Sequence, residues 1–293
     1  MRLRLGTRGS PLALRQAARV GELLQRAHPF LEVELVTVTT RGDRLSLEGV
    51  PLFQQPVGAF VREVQGALLR GEVDLAVHSA KDLPLEPVEG LWVAAYPERA
   101  HPGDLLISRG PGWEELSPGD RVGTSSVRRR TFLQRARGDL RFVDIRGNVD
   151  TRLRKLREGE VEALILAAAG WERLGLSAEH VEVLPFSLLL PAPAQGALAV
   201  EVREDREDLR ELVGAIDRED VRQAVEMERG LLAFLSGGCW SALGVLAQKE
   251  GEGWHLQAAW GEGGGEPVEA RGRDPRALVE EVGRKLLLGA GNL

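Results

Sequence analysis

His78-Ser79-Ala80-Lys81-Asp82 ends an apolar run with an ammonium and a carboxylate side by side. A carboxylate at a strand end, facing a cleft, can accept a hydrogen bond from a substrate N–H and stabilise a developing cation in a water-poor site. The plain alternative is a solvated turn with a surface ion pair, which adds little stability. Gly237-Gly238-Cys239 carries the only cysteine of the chain. A lone cysteine can be a small buried hydrophobe. Two glycines after a long helix instead describe a turn that presents the next side chain, and a thiol facing a basic cleft has a lowered pKa and is nucleophilic. No histidine partner stands near it in the sequence, which argues against a protease-type dyad.

Between these stretches, residues 128 to 157 hold eleven Arg or Lys against three Asp. Gly123-Thr124-Ser125-Ser126-Val127-Arg128-Arg129 follows a β-rich run and opens a helical one. Such a junction offers backbone N–H groups and hydroxyls at the positive end of a helix, with bidentate guanidinium donors beside them. Arg146-Gly147-Asn148-Val149 repeats the scheme, and Gly147 permits close backbone approach. Thr7-Arg8-Gly9-Ser10 repeats it again at the first strand-to-helix turn. One such junction is an ordinary helix cap with a surface arginine; three at equivalent strand ends point to a polyanionic ligand. Neither a Gly-x-Gly-x-x-Gly turn at a strand end nor a phosphate loop ending in Gly-Lys-Ser/Thr is present.

These groups need a scaffold, and the 293 residues suffice for two or three domains. With 43% hydrophobic and 28% charged residues, the composition is that of a globular protein. No run of apolar residues is long enough to span a membrane. The opening Met1-Arg2-Leu3-Arg4-Leu5-Gly6 lacks the apolar stretch and cleavage site of a secretory signal, which predicts a cytoplasmic protein. One cysteine excludes an internal disulfide, and the five histidines show no zinc-ligand spacing, so no metal is expected. A net charge of −6 argues against a general nucleic-acid partner. Arginine outnumbers lysine 34 to 4, a bias that a GC-rich genome or growth at high temperature explains equally well. Position, not arginine count, therefore carries the argument.

Strands are predicted at 2–7, 33–39, 73–78, 105–107, 121–123, 142–145, 163–167 and 197–202. Helices are predicted from Pro11, over 60–70, from the Ser125-Ser126 cap to Arg137, from Asn148 to Glu158, around Trp171 and over 219–235. Strands alternating with helices imply parallel sheets with ligands at the strand C-termini. The polar stretch from Thr40 to Gly58 reads as a mobile cover, and Pro191-Ala192-Pro193-Ala194-Gln195-Gly196 as a hinge crossing. Strands near 243–248, 254–260 and 267–270 and a helix over 275–288 form a smaller α+β unit.

The motifs together resemble the porphobilinogen deaminase family over nearly the whole length. They run in order from Thr7-Arg8-x-Ser10-Pro11-Leu12-Ala13-Leu14 and Thr40-Arg41-Gly42-Asp43 through His78-Ser79-Ala80-Lys81-Asp82 and Gly123 to Arg129. Arg146-Gly147-Asn148-Val149-x-Thr151-Arg152-Leu153, Ala169-Gly170-x-x-Arg173-Leu174-Gly175, Gln195-Gly196-Ala197 and Gly237-Gly238-Cys239 complete the series. The resemblance implies two periplasmic-binding-protein-like α/β domains joined by crossing hinges, residues 1–97 with 196–216 and residues 98–195. A small α+β domain over 217–293 would carry the cysteine. It further implies a dipyrromethane cofactor held through a thioether to Cys239, and a transferase that joins four porphobilinogen molecules head to tail. Ammonia is lost at each addition, and hydrolysis releases hydroxymethylbilane. Asp82 would be the catalytic group. Lys81, Asp82, Thr124, Ser125, Arg128, Arg129, Arg146 and Gly147 would hold the cofactor, and Arg8, Ser10, Arg146, Arg152, Arg173 and Gln195 the substrate. A monomer is expected.

This chain departs from the family in three places. Gln55-Pro56-Val57-Gly58-Ala59-Phe60 stands where a loop lysine is usual, Ala194 precedes Gln195 where glycine is usual, and Trp240 to Gly244 replaces a proline-containing run. Two other readings stay open from the residues alone: a ligand receptor of the periplasmic-binding type, and a phosphoribosyl-handling transferase.

Overall fold

The computed structural model describes residues 1–40, 61–235, 242–261 and 266–290. The chain divides into two compact units: Met1–Ala100 with Glu172–Leu174 and Gly196–Arg222, and His101–Trp171 with Gly175–Gln195 and Gln223–Leu293.

The first unit is built on a five-stranded sheet of order β2-β1-β3-β10-β4, with β1 at Arg2–Arg8, β2 at Glu32–Val38, β3 at Leu75–Ser79, β4 at Leu91–Ala95 and β10 at Leu198–Arg203. Leu3 and Leu5 alternate inward along β1, as a half-buried strand requires. Helix α1 (Pro11–Ala27) begins as its sequence announces: Pro11 occupies the first turn and the Ser10 hydroxyl accepts the Ala13 N–H at 3.3 Å. Its Ala17, Val20 and Leu24 are fully buried in the core with Leu75, Leu198 and Val200, each large side chain contributing about 1.5–3 kcal/mol of burial. Helix α2 (Arg62–Leu69) packs Val64 and Leu68 onto Val73 and Ala76 in a second cluster.

The second unit repeats the plan. Its sheet has the order β7-β6-β8-β5-β9, with β5 at Asp104–Ser108, β6 at Arg121–Gly123, β7 at Arg141–Val143, β8 at Ala163–Ala167 and β9 at His180–Val183. Three parallel strands (β2, β1, β3 and β7, β6, β8) are followed in each sheet by an antiparallel strand, β10 or β5, and an edge strand. Helices α3 (Val127–Ala136), α4 (Val149–Arg157) and α5 (Ala168–Leu174) follow β6, β7 and β8. A three-stranded antiparallel sheet, β11 (Leu243–Glu250), β12 (Gly253–Trp260) and β13 (Val268–Gly272), belongs to the same unit. Its Leu246 and Ala259 share a core with Leu133, Leu189 and Leu190. Helices α7 (Glu219–Phe234) and α8 (Pro275–Ala290) cover its other side through Met227, Leu231, Val282 and Leu286.

The mixed α/β architecture with a small C-terminal sheet is the expected one. The sheets, however, are mixed, not parallel. Apolar alternation identifies a strand but not its partner, and β10 and β5 enter antiparallel to β3 and β8. Three elements escaped the sequence reading: β4, β9 and helix α6 (Glu207–Gly214). The expected mobile cover between Thr40 and Gly58 lies outside the described residues apart from Thr40.

Candidate active site

In the first unit, β1 and β3 are parallel neighbours, with Gly6 opposite Ala76. Their C-terminal ends therefore share one sheet edge, and Arg8, Ser10, Lys81 and Asp82 come to it together. A single 3-10 turn over Ala80–Asp82 follows β3 directly, pinned by the Ala80 N–H to the Ala197 carbonyl at 3.0 Å. It leaves Lys81 exposed and Asp82 half-buried. Asp82 forms no hydrogen bond or ion pair with a described residue, so its oxygens are open to an N–H donor. The residues beneath are fastened. The Gln16 amide donates to the Ser79 hydroxyl at 3.0 Å, and Gln65 donates to Glu201 at 3.0 Å. His78 Nε2 stands 3.0 Å from Glu201 but without hydrogen-bond alignment. Arg173, in the same unit, donates to the Gly196 carbonyl at 2.7 Å while its Nε is buried without a partner. Burial lowers the pKa of Arg173, and Glu98 opposes that shift.

In the second unit the junctions after β6 and β7 form the basic side. Ser126, not Ser125, is the N-cap of α3, its hydroxyl accepting the Arg129 N–H at 3.4 Å. Thr124 is fully buried and accepts the Ser126 N–H at 3.3 Å, and Ser125 donates to the Ile145 carbonyl at 2.7 Å. These two hydroxyls shape the turn. Asn148 occupies the cap position of α4, but its side chain makes no cap hydrogen bond. Gly147, at φ 98°, is in the left-handed region, and a Cβ there would lie 2.6 Å from Thr151 Cγ2. Only glycine fits. Its carbonyl receives the Arg152 Nε–H at 2.9 Å.

Arg128 and Arg129, expected as bidentate donors for ligand carboxylates, already share a carboxylate of the protein. Both are buried and bound to Asp104, which the sequence reading missed. Arg128 reaches one carboxylate oxygen at 2.7 Å, and Arg129 the other at 2.6 Å through a terminal nitrogen and 3.0 Å through Nε. Arg128 also donates to the Leu190 carbonyl and Arg129 to the Ile165 carbonyl. Gln195 likewise turns inward, donating to Pro102 at 2.7 Å and to Asp104 at 3.0 Å. Burial alone would raise the Asp104 pKa; the charges of Arg128 and Arg129 overturn it and hold the group at about 2. Arg128 itself is lowered by burial, with Asp104 pulling the other way.

One carboxylate against two guanidinium groups leaves this cluster one positive charge, and more lies beyond it. Arg152 is lowered to about 10, first by burial and then by the Arg129 charge. Arg146 is half-buried and forms no ion pair with a described residue. Arg128 Nε is buried without a partner. Guanidinium groups without a described carboxylate partner (Arg146, Arg152) and an orphaned N–H donor (Arg128 Nε) suit a ligand rich in carboxylates, and the acetate and propionate arms of a dipyrromethane fit that donor set. Cys239 lies outside the described residues. Among the described residues no cluster of His, Cys, Asp and Glu could hold a metal ion.

Comparison with known proteins bears on this arrangement. Residues 3–211 match the family model described as porphobilinogen deaminase, dipyromethane cofactor binding domain. The porphobilinogen deaminase of Nitratidesulfovibrio vulgaris (strain DP4) is 49% identical over 238 residues, 80% of this chain and 75% of that one. That of Streptococcus sanguinis is 41% identical over 291 residues, 97% and 95% of the two chains. Among solved structures, the methionine binding protein MetQ aligns with a TM-score of 0.45 at 16% identity, over 78% of this chain and 94% of that one.

Proposed function

Since the chain belongs to the porphobilinogen deaminase family, we propose that the two sets of residues above are the working parts of that family's reaction. The enzyme is a transferase of tetrapyrrole and heme biosynthesis with hydroxymethylbilane synthase activity. It joins four porphobilinogen molecules head to tail with loss of ammonia, and hydrolysis then releases hydroxymethylbilane. Its cofactor is dipyrromethane, which supplies, when bound, the pyrrole terminus from which the product grows.

The proposed roles follow from charge and placement. Cys239 anchors the cofactor through a thioether. Lys81, Arg128, Arg129 and Arg146 are assigned to its carboxylates by their charge, while Thr124, Ser125 and Gly147 hold the two turns that carry those arginines. Arg8, Arg152 and Arg173 take the acetate and propionate of incoming porphobilinogen, with the Ser10 hydroxyl proton beside them. Loss of ammonia leaves positive charge on the substrate pyrrole. Asp82, which forms no hydrogen bond or ion pair with a described residue, accepts the pyrrole N–H and stabilises that charge. The observation that carries this reading is a carboxylate without a partner among the described residues at one strand end, in a chain whose second unit holds guanidinium groups in excess of its buried carboxylate.

The same proposal has three domains, the C-terminal sheet with its own core forming the third. It also has a monomeric cytoplasmic enzyme, in keeping with a biosynthetic family, and no nucleic-acid partner, in keeping with a net charge of −6. No helix among the described residues is long and apolar enough to cross a membrane. Nothing observed favours the receptor or phosphoribosyl readings. The test is stoichiometric: purified protein given porphobilinogen should release four ammonia per linear tetrapyrrole, and Asp82→Asn should release almost none. Ammonia release by Asp82→Asn at the normal rate overturns the assignment.

A further inference from the structure

Asp104 opens β5 and is fully buried. Because β5 runs antiparallel to β8, this first residue lies opposite Ala167, at the C-terminal edge of the parallel strands. Three side chains from two segments converge there: Arg128 and Arg129 from the first turn of α3, and Gln195. A carboxylate beside a site for acids cancels one positive charge and weakens the attraction for the ligand. Binding strength therefore gives no reason for it; placement does. An arginine side chain is long and loses conformational freedom when fixed, and reacting groups must be held within narrow limits for attack. Asp104 fixes both guanidinium groups at once, with Arg128 Nε left over as a donor.

We propose that Asp104 is the positioning residue of this anion site, fixing Arg128 and Arg129 and leaving them one net positive charge, and that Gln195 acts through Asp104 instead of on the substrate. Gln195 is 1% exposed, and its amide nitrogen is already shared among Asp104, Pro102 and Gly103. The inference rests on the family reading for the identity of the ligand, but the placement of the two arginines can be tested without it.

Steady-state kinetics with porphobilinogen and side-chain nuclear magnetic resonance of 15N-arginine-labelled holoenzyme form the test. Asp104→Asn frees the guanidinium groups without removing their charge, so kcat should fall by about tenfold or more while KM stays level or drops. Gln195→Ala, the milder change, should lower kcat by a smaller factor with KM within about twofold. If both act on the same object, the double variant should be no worse than Asp104→Asn alone. The Nε–H signals of Arg128 and Arg129 should lose their protection from exchange in Asp104→Asn and weaken in Gln195→Ala. A rise in KM of about tenfold with kcat retained in Gln195→Ala puts the amide on the substrate and overturns the proposal. So do additive losses, or arginine signals unchanged in both variants. Should Asp104→Asn not fold, the KM-against-kcat split and the arginine signals of Gln195→Ala decide alone. The mass of Cys239 in the same preparations keeps the questions apart: a bare thiol in active wild type sinks the cofactor assignment and leaves the arginine signals to judge Asp104.

Discussion

Arg152 stands beside Arg129 with no carboxylate among the described residues to offset it. Burial and the Arg129 charge together lower it to about 10, so it is still a cation at neutral pH. Arg129 is already committed to Asp104 at 2.6 Å. The two arginines therefore differ in kind: Arg129 is held in place by a carboxylate of the fold, whereas Arg152 is relieved only when an anion arrives.

Replacing Arg152 by glutamine should weaken binding of porphobilinogen. A hydrogen bond to a charged partner contributes about 1.5–3 kcal/mol, which corresponds to a KM higher by about tenfold to a hundredfold. The melting temperature should change little, because Arg152 is only half-buried and forms no ion pair with a described residue. Kinetics and thermal unfolding on the same sample check both halves. An unchanged KM with a lowered melting temperature would mean that Arg152 serves the fold.

Asp82→Asn keeps the shape of the side chain and removes its charge. Asp82 forms no ion pair with a described residue, so stability should change by less than about 0.5 kcal/mol. Turnover should fall by about a hundredfold or more, the range found when an aligned electrostatic partner of a transition state is removed. Single-turnover rates measure this directly. A rate like that of wild type would leave Asp82 without the assigned role.

Gly147→Ala meets both a positive φ of 98° and a 2.6 Å approach to Thr151. Strain of this kind costs about 1–3 kcal/mol, read as a lower denaturant midpoint. Thr151→Ala in the same chain relieves the contact but not the φ, so rescue should be partial. Because the Gly147 carbonyl holds Arg152 at 2.9 Å, KM should rise together with the loss of stability. Full rescue by Thr151→Ala would show that the contact alone matters.

Asp104 gives stability a pH dependence. Its folded pKa is depressed from 3.8 to about 2. A depressed carboxylate contributes stability that is present above the unfolded pKa and is lost as pH falls through the folded one. The stabilisation, about 2 kcal/mol by linkage, should be intact at pH 5 and fade between about pH 4 and pH 2. Other carboxylates, among them Asp74 and Glu162, are also lowered by arginine partners, so the comparison is between wild type and Asp104→Asn. The difference in unfolding free energy should shrink across that window. A constant difference would contradict the ion-pair account.

Much of this was legible in the sequence, and the exceptions share a cause. Ser10-Pro11 and Ser126 announce helix starts through chemistry local to a few residues, and the structure uses them so. The ends of β1 and β3 could be matched because apolar runs stop at polar turns. What could not be read is pairing across distance. Strand direction in β5 and β10 depends on partners far along the chain. Asp104 sits inside the apolar run Asp104-Leu105-Leu106-Ile107, where a lone carboxylate reads as a strand boundary; its partners are 24, 25 and 91 residues away. An acid at the head of a run that is otherwise fully buried was the one available signal. Arg128 and Arg129 were found as a pair, but the carboxylate that occupies them was not.

The central claim is that Cys239 carries the growing chain's primer. Intact-protein mass spectrometry of the enzyme as purified tests it most directly. Wild type should weigh more than its sequence by two linked pyrrole units, and Cys239→Ser should show the bare sequence mass and no turnover. A bare mass in wild-type enzyme that still converts porphobilinogen would contradict the account.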